Sequence, residues 1–558
     1  MVGQQRKTIL PAVLCIVAGS SIGSWLSGPS VMAQTDKEGG VISGKVTANR
    51  GAVRAVRVKA SDTTRKIAYT VFTRNGGYQI FHLPPGTYQV SALQDGFDSS
   101  RVSVELKPGE TKAADLALTA KEATGNVELV DLDTLYPPGP GRDLLMQECL
   151  GCHGLEHIPL HKMGARTEDA WRKGVNRMFE VNRVQVPVVS PDVVTVEQRE
   201  IIIQYLADNF GVNSKPRDLR LDELPLDEEA LSKAIYVQYD LPPAVPGRKG
   251  SRGIHDLFPS QMSPTVYIGD IGTGAILAMD LRHLEYPSRF REWPILNPEN
   301  MNVQPHGMVE SKGRIFWTEL AGGAVGELDP VTGEMGRFPM PSKGSPHTPR
   351  ADSKGNVWFT SVYNASRIGR LDAKTKTVAE FDPSPKYKNA HYYGLVVDKQ
   401  DRVWAVGSTA HIIVSYDPRT GKWTTYPTPT QPSGPRRPTV DSKGKIWFSE
   451  HIADAIAMLD PDTGKITEYK SPFRHAGEYE CFVDLEDNIW VSLRAYGAFA
   501  KFDPQKKKYT IFPYPEIRGH TPKIETDPQG TIWFAVGRPS TVASLKTNGN
   551  VPINKSGM

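Results

Sequence analysis

Two cysteines and a histidine stand close together in this chain of 558 residues. Cys149, Cys152 and His153 form the pattern C-x-x-C-H within the stretch Q-E-C-L-G-C-H-G. Thiols at this spacing on a helix lie nearly one turn apart, so both can reach one edge of a flat cofactor. The pattern is typical of covalent c-type haem attachment, with His153 as an axial ligand of the iron. A dithiol redox site would need a βαβ context and a zinc site a second ligand pair, and neither is evident.

The second axial ligand of such a haem is less sharply indicated. The segment W-R-K-G-V-N-R-M is similar to short cytochromes in which a Trp-x6-Met segment supplies a thioether, so Met178 is the predicted ligand. Met163 is an alternative, as are His157 and His161, and a histidine there would lower the reduction potential relative to methionine. A plain core-packing role for Met178 also stays open.

Helical patterns flank the cysteine motif. Thr195 and Gln198 form a capping box that opens a helix with apolar residues at helical spacing, namely Ile201, Ile202, Tyr205, Leu206 and Phe210. Two helices that cross beside a porphyrin resemble the class I cytochrome c fold. Residues 133–212 are therefore predicted to form a small all-α cytochrome c domain.

Residues 1–33 have the form of a secretory signal peptide. A basic start is followed by an apolar run and by V-M-A before Gln34. An uncleaved anchor is the competing interpretation, but the run is shorter than the roughly 20 residues that a bilayer requires. We expect an exported, periplasmic protein with no membrane span after signal removal. The formal net charge of +4 gives no indication of nucleic acid binding.

Residues 38–120 alternate apolar and polar positions in short runs separated by turn residues, which predicts a β-sandwich. The motifs G-x-V-x-G-x-V, G-x-Y-x-I and L-P-P-G-T-Y follow one another along this region. In this order they resemble the carboxypeptidase regulatory-like domain. The resemblance implies a spacer or adhesion module without catalytic groups.

The rest of the chain repeats itself after a linker at residues 213–232. Six tryptophans recur at intervals of 41 to 46 residues, each in a short β run after a turn: Trp317, Trp358, Trp404, Trp447, Trp490 and Trp533. A further run around Tyr267 makes seven copies. Four short strands per period predict a seven-bladed β-propeller over residues 233–548. The last copy lacks a fourth strand, and the run from Ile235 to Leu241 is predicted to supply it.

A histidine recurs about 11 to 15 residues before each tryptophan or its equivalent, at His255, His306, His347, His391, His475 and His520. The fifth copy has Arg436 instead. Because this position enters the innermost strand, we expect these groups to converge at one mouth of the channel. They are either consensus residues that bond the blade loops or a substrate or metal site. Glu319, Glu450, Glu478 and Glu480 are candidate carboxylates, and Arg436 and Arg538 are candidate anion ligands.

The repeat resembles the streptogramin lyases, on the motifs P-H-G-M, D-S-K-G-N-V-W-F-T, R-I-G-R-L-D and T-G-K-I-T-E-Y over about 310 residues. The resemblance implies a propeller that opens a cyclic depsipeptide by elimination, with a histidine base and a magnesium ion held partly through E-P-H. On this basis His306, His347, His475 and His520 are the candidate catalytic residues. However, Gln304, Ser345 and Arg518 stand where the glutamate of E-P-H would be, and Mg²⁺ prefers such oxygen ligands.

The predicted fold class is multidomain and mainly β, with a β-sandwich, a small all-α cytochrome c domain and a seven-bladed β-propeller. The predicted cofactors are one covalent haem c and a divalent cation such as Mg²⁺ in the propeller. Electron transfer with a small molecule or a redox partner protein at the histidine-lined mouth is the leading hypothesis. A carbon–oxygen lyase and a non-enzymatic docking platform for the cytochrome are the alternatives.

Overall fold

The structure, a computed structural model, describes residues 39–122, 127–149, 160–180, 194–245, 250–296, 302–363, 366–387, 390–517, 521–537 and 540–551. The predicted signal peptide lies outside these residues, as do Cys152, His153, His157, Arg518, His520 and Arg538. None of the helices in the described ranges has the length and apolar character needed to cross a membrane. The chain forms an N-terminal sandwich, a helical segment and a seven-bladed propeller.

The N-terminal sandwich has two sheets. One contains the strands Gly77–Leu83, Gly40–Ala48, Thr111–Ala113, Leu116–Ala120 and Phe97–Ser99. The other contains Ile67–Phe72, Arg57–Asp62, Gly86–Leu93 and Arg101–Leu106. Alternate residues of Arg57–Asp62 are buried, as the period of two along a strand requires. The apolar core between the sheets includes Ile42, Val58, Ile80, Tyr88 and Val90, which confirms the predicted β-sandwich.

The second sheet of the sandwich continues into the propeller. The strand Ile235–Asp240 pairs on one edge with Thr541–Lys546 and on the other with Ile67–Phe72. Within it, Val237 lies between Ser544 and Tyr69. The predicted closure of the ring by this strand is confirmed. Its outer edge, which would otherwise expose unpaired backbone groups, is covered by the sandwich.

The helical segment is built from short elements around one core. Its α-helices are Leu132–Leu135, Pro140–Leu144, Glu168–Asn176 and Val196–Phe210, joined by a π-helical turn at Leu145–Cys149 and a 3-10 turn at Leu160–Met163. The strands Glu128–Val130 and Arg217–Leu219 pair in parallel beside them. Helices Pro140–Leu144 and Val196–Phe210 approach closely, because a Cβ on Gly141 would lie 2.4 Å from Cβ of Tyr205.

The capping box of Thr195 and Gln198 is present at the start of the last of these helices. Its buried face differs by one position from the predicted one. Ile201 is exposed, whereas Ile202, Ile203 and Leu206 are buried. The stripe at positions i, i+1 and i+4 follows the helical period but begins one residue later, so Ile201 points to solvent.

The propeller consists of seven four-stranded antiparallel sheets, here called blades 1 to 7, each numbered from its inner strand outward. Blades 1 to 3 contain Ile254–Pro259, Thr265–Asp270, Ala275–Asp280 and Phe290–Pro294; Pro305–Ser311, Arg314–Glu319, Ala324–Leu328 and Met335–Pro339; and Pro346–Ala351, Val357–Ser361, Arg367–Leu371 and Val378–Phe381. Blades 4 and 5 contain Tyr392–Val397, Val403–Gly407, Ile412–Asp417 and Lys422–Pro427; and Pro435–Val440, Ile446–Glu450, Ala455–Leu459 and Ile466–Lys470. Blades 6 and 7 contain Glu478–Val483, Ile489–Leu493, Ala498–Asp503 and Lys508–Pro513; and Ile524–Thr526, Ile532–Val536, Thr541–Lys546 and Ile235–Asp240.

The repeated tryptophan has a definite bond in each of the last five blades. Its indole N–H donates to the aspartate six residues earlier, in the turn between the first and second strands, as in the pair Trp358 and Asp352 at 3.0 Å. The same bond recurs at Trp404, Trp447, Trp490 and Trp533, at 2.8 to 2.9 Å. In blade 2 the position holds Ser311, and the indole N–H of Trp317 has no partner among the described residues. The periodic D-x5-W spacing is therefore a turn-to-strand hydrogen bond.

The predicted linker packs against both of its neighbours. It contains the strand Arg217–Leu219 and the helix Glu228–Lys233. Leu219 and Leu221 join the core of the helical segment, whereas Leu224 and Leu226 join apolar clusters of blades 5 to 7. We call residues 219–226 the strap. Since three residues span at most about 11 Å, the core of the helical segment ends close to the propeller surface.

Candidate functional site

The mouth of the propeller channel is lined by one residue from each of at least six blades. In blades 2 to 6 the inner strand begins with a residue paired to the end of the second strand, and a bulge follows it. The next residue along faces the channel neighbours of the adjoining blades. These equivalent positions hold His306, His347, Tyr393, Arg436 and Tyr479, and His255 corresponds in blade 1.

The side chains at these positions form a stacked series from blade to blade. Ring centroids are 3.8 Å apart for His255 and His306, 4.1 Å for His306 and His347, and 4.2 Å for His347 and Tyr393. The hydroxyls of Tyr393 and Tyr479 are hydrogen-bonded to one another across the mouth. The predicted convergence of channel residues is therefore seen for His306 and His347.

The two catalytic candidates in this stack are neutral imidazoles. Burial lowers the pKa of His306 to about 3, and the charge of Arg437 adds to the effect. Burial also lowers the pKa of His347 well below its usual range, with a further contribution from His306. Nδ1 of His347 lies 2.9 Å from the carbonyl oxygen of Tyr393, which orients the ring. A neutral imidazole can accept a proton from a bound molecule or donate one N–H to it.

Deeper in the channel, charged side chains pair with one another. Glu480 contacts Arg437 at 3.1 Å and Lys523 at 3.0 Å, and Lys523 also contacts Glu525 at 2.6 Å. Arg350 completes the series by donating to Glu525 at 2.9 Å. These buried charges satisfy each other, which buried ion pairs require. Among the four glutamates suggested by the sequence, Glu480 is the one that joins this network.

One group near the mouth has the composition of a metal site. His255, Asp256 and His306 each place a ligand atom within 4.8 Å of the others. Two imidazoles and one carboxylate suit Zn²⁺ or a similar first-row metal better than Mg²⁺, which prefers oxygen ligands. Burial raises the pKa of Asp256 to about 7, partly offset by the charges of Lys523 and Arg437. Those two cations oppose a further positive ion, and a bound Mg²⁺ stays a prediction.

The remaining predicted histidines lie away from the stack or outside the described residues. His391 precedes the inner strand of blade 4, where Tyr393 holds the channel position. His475 lies in the loop before blade 6, where its backbone N–H donates to Asp454 at 2.9 Å. Tyr479 rather than His475 occupies the repeated position, because the distance from the tryptophan varies with the length of the preceding loop. His520 lies outside the described residues.

Sequence reasoning missed Tyr393, Tyr479, Arg437 and Asp256 because it counted histidines back from the tryptophan. The better signal is the bulged start of the inner strand, where P-H-G, P-H-T, P-R-R and E-Y-E align by pairing to the second strand. Counting from that pair identifies the channel residue whatever its type.

The helical segment brings together three sulfur-bearing candidates. Cys149, Met163 and Met178 all pack against the same apolar core, and each is half-buried. His161 has both ring nitrogens engaged, with Nδ1 3.0 Å from the Tyr136 hydroxyl and Nε2 3.1 Å from Asp218. It is therefore a poor axial ligand. Cys152, His153 and His157 lie outside the described residues.

Two regions of the chain match protein families. Residues 41–119 match the carboxypeptidase regulatory-like domain, and residues 386–555 match the virginiamycin B lyase family. The C-terminal region is a virginiamycin B lyase-like propeller. No curated protein matches the chain. Both matches agree with the resemblances in the sequence, and neither includes the helical segment.

Solved structures similar to the chain include two lyases. Virginiamycin B lyase from Staphylococcus aureus is 21% identical with a TM-score of 0.48, over 53% of this chain and 95% of that one. A streptogramin B lyase is 21% identical with a TM-score of 0.48, over 56% and 97%. A structure titled YCF48 bound to D1 peptide is 14% identical with a TM-score of 0.44, over 58% and 97%.

Proposed function

We propose that this protein is an exported c-type cytochrome whose haem exchanges electrons with a small molecule or a redox partner held at the mouth of the lyase-like propeller. The C-x-x-C-H motif supports the haem, and the apolar run in residues 1–33 supports export. The observation that carries the proposal is the strap, because it holds the helical segment against the face of the propeller that contains the mouth.

The strap and the mouth share one face of the propeller. Residues 471–477 connect blade 5 to the inner strand of blade 6, so they lie at the same end of the blades as Tyr479. Asp222 of the strap accepts from Arg474 of this loop at 2.7 Å. The backbone N–H of Asp222 also donates to the hydroxyl of Tyr496, in the turn between the second and third strands of blade 6. Antiparallel strands return that turn to the same end as the loop.

The residues of the helical segment fit a haem c. Cys149 and Cys152 would hold it covalently, and His153 would be one axial ligand. Met178 is the proposed second ligand, and Met163 is the alternative because it packs against the same core. The engaged nitrogens of His161 favour a thioether over this histidine. Such a group supplies one-electron transfer at a potential that its ligands and burial determine.

At the mouth, the chain's own side chains would bind and orient the ligand. The stacked neutral rings of His306 and His347 offer proton acceptors beside aromatic faces. The paired hydroxyls of Tyr393 and Tyr479 add donors across the opening. Electron transfer from an organic ligand commonly releases a proton, and a neutral imidazole in contact with it can take that proton.

Anaerobic absorbance spectroscopy of the full chain tests this function. A panel of reducing small molecules is added to the oxidised protein, and the haem bands are followed. A compound that reduces the wild type but reduces a His306→Ala, His347→Ala variant at least tenfold more slowly supports the proposal. Ascorbate is the control, since it should reduce exposed haem in both proteins alike. Reduction of both proteins at equal rates by every compound contradicts a role for the mouth and favours the docking platform.

The family match over residues 386–555 favours a carbon–oxygen lyase as the second candidate. This function would need neither Cys149 nor Cys152. Elimination products from a depsipeptide, formed equally well by a variant with both cysteines replaced by alanine, would support the lyase. Since Gln304 and Ser345 replace glutamates of the lyase motif, we expect no such product.

A further inference from the structure

Arg436 is a buried guanidinium without an internal partner. Only 2% of the residue is exposed, and its Nε has no hydrogen-bond acceptor. Across the part of the chain that the structure describes, no carboxylate forms an ion pair with it. Its neighbour Arg437 is equally buried but contacts Glu480 at 3.1 Å and donates to Thr348 at 3.1 Å. Two adjacent arginines thus differ in one respect, the presence of an anion.

An unpaired buried charge is expensive, with an effective penalty of several kcal/mol. Such a group persists where function requires it, because replacing it would otherwise stabilise the fold. The missing partner of Arg436 should therefore be an anion that arrives from outside.

The surroundings of Arg436 face the channel mouth and suit an anion. The guanidinium lies 4.6 Å from the ring centroid of Tyr393 and 5.8 Å from that of Tyr479. A second guanidinium, that of Arg494, lies 4.3 Å from the Tyr479 ring on the same side of the mouth. The nearby carboxylate of Glu480 is already shared by Arg437 and Lys523.

The charge of Arg436 is felt by the histidines around it. Burial lowers the pKa of His391 to about 3, and Arg436 is the second cause. Burial also lowers the pKa of His451 well below its usual range, reinforced by Arg436 and Arg494. These rings are neutral, so they add no anion and leave the local charge positive.

We propose that Arg436 anchors an anionic ligand, a carboxylate or comparable oxyanion, between Tyr393 and Tyr479 at the channel mouth. This deepens the proposed function, on which it rests for the place of the ligand, by naming the ligand's charge. The planar guanidinium can bind both oxygens of a carboxylate, and the tyrosine rings provide a flat apolar slot for its remainder. A neutral analogue would leave the guanidinium unpaired, so it should bind much more weakly.

Isothermal titration calorimetry of the full chain at low ionic strength tests the proposal, with benzoate as the probe, benzamide as its neutral counterpart and inorganic phosphate as a second oxyanion. We expect saturable binding of benzoate and at least tenfold weaker binding of benzamide. Arg436→Gln should weaken benzoate binding at least tenfold, and Arg436→Lys less. Arg419→Gln, which removes an exposed arginine far from the mouth, should have no effect.

Thermal unfolding of the same variants separates a ligand anchor from a structural residue. Without ligand, Arg436→Met should unfold at the same temperature as the wild type or higher, because it removes an unpaired charge. A fall of several degrees together with unchanged benzoate binding would overturn the proposal, as would the absence of saturable binding of benzoate and phosphate up to 50 mM. Binding without any haem response would retain the anion site and contradict the electron-transfer function instead.

Discussion

Asp222 and Arg474 form an ion pair, with 2.7 Å between a carboxylate oxygen and a guanidinium nitrogen, that joins the end of the helical segment to a loop at the rim of the channel mouth. The pair is part of a longer contact in which Leu221 packs toward the helices and Leu224 toward the blades. The sequence suggested a linker that gives no distance between the two parts. The strap instead sets that distance and the face on which the helices lie.

Reversing one charge of this pair is expected to loosen the strap. Arg474→Glu places like charges together, so amide hydrogen exchange over residues 219–226 should become about twofold to fivefold faster, the range for surface ion pairs. The double reversal Asp222→Arg, Arg474→Glu should restore slow exchange. Arg419→Glu, which disrupts an exposed pair on blade 4, serves as the control. Equal exchange in all four proteins would show that the ion pair does not hold the strap.

Closing the ring depends on the strand Ile235–Asp240, which is paired on both edges. Val237→Pro removes a backbone donor from this strand, and we expect it to lower the free energy of unfolding by about 3 kcal/mol or more. Urea unfolding followed by tryptophan fluorescence measures the change. Leu296→Pro, in an exposed loop position, should have an effect below about 1 kcal/mol. Similar losses in both variants would argue against closure by this strand.

Glu450 should make the stability of the protein depend on pH. Burial, with the neighbouring charge of Glu468, raises the pKa of Glu450 to about 8. In the unfolded chain the group titrates near pH 4.3, so between these values the folded protein holds a proton that the unfolded chain lacks. Its stabilising contribution is therefore complete below about pH 4 and is lost as the pH rises toward 8. The slope is at most about 1.4 kcal/mol per pH unit.

Glu450→Gln should remove this dependence, so the variant should gain stability relative to the wild type between pH 5 and pH 9 in urea unfolding. Glu319 is the matched control, because it occupies the same strand position in blade 2 but accepts from Arg337 at 2.8 Å. Glu319→Gln weakens a charged hydrogen bond and should lose about 1–3 kcal/mol at pH 7. A parallel pH profile for wild type and Glu450→Gln would contradict the raised pKa.

The second axial ligand of the proposed haem can be assigned by substitution. Met178→Ala should alter the spectrum of the oxidised haem and lower its reduction potential, because a thioether ligand raises that potential. Met163→Ala should change neither. The reverse result would make Met163 the ligand. Potentiometric titration monitored by absorbance measures both variants, and His161→Gln is the control, because its nitrogens already bond Tyr136 and Asp218.

Regular repetition made the fold predictable from the sequence. The spacing of the tryptophans reflects the bond from each indole to a turn aspartate, and the closing strand followed from an incomplete last copy. The channel was predicted only in part. His306 and His347 lie where expected, but the loop before blade 6 is longer than a count from Trp490 allows, so Tyr479 takes the place assigned to His475. The pairing of Arg437 with Glu480, and the isolation of Arg436 beside it, depend on contacts between blades that no local pattern reveals.

Covalent attachment of haem is the claim on which the account depends most. The full chain is produced in a host that ligates haem c, purified and denatured, and its haem is quantified after electrophoresis and by the absorbance of the pyridine complex. We predict one haem retained per mature chain, and none in a variant with Cys149 and Cys152 replaced by alanine. A colourless mature protein, or one that releases its haem on denaturation, would contradict the proposed cytochrome.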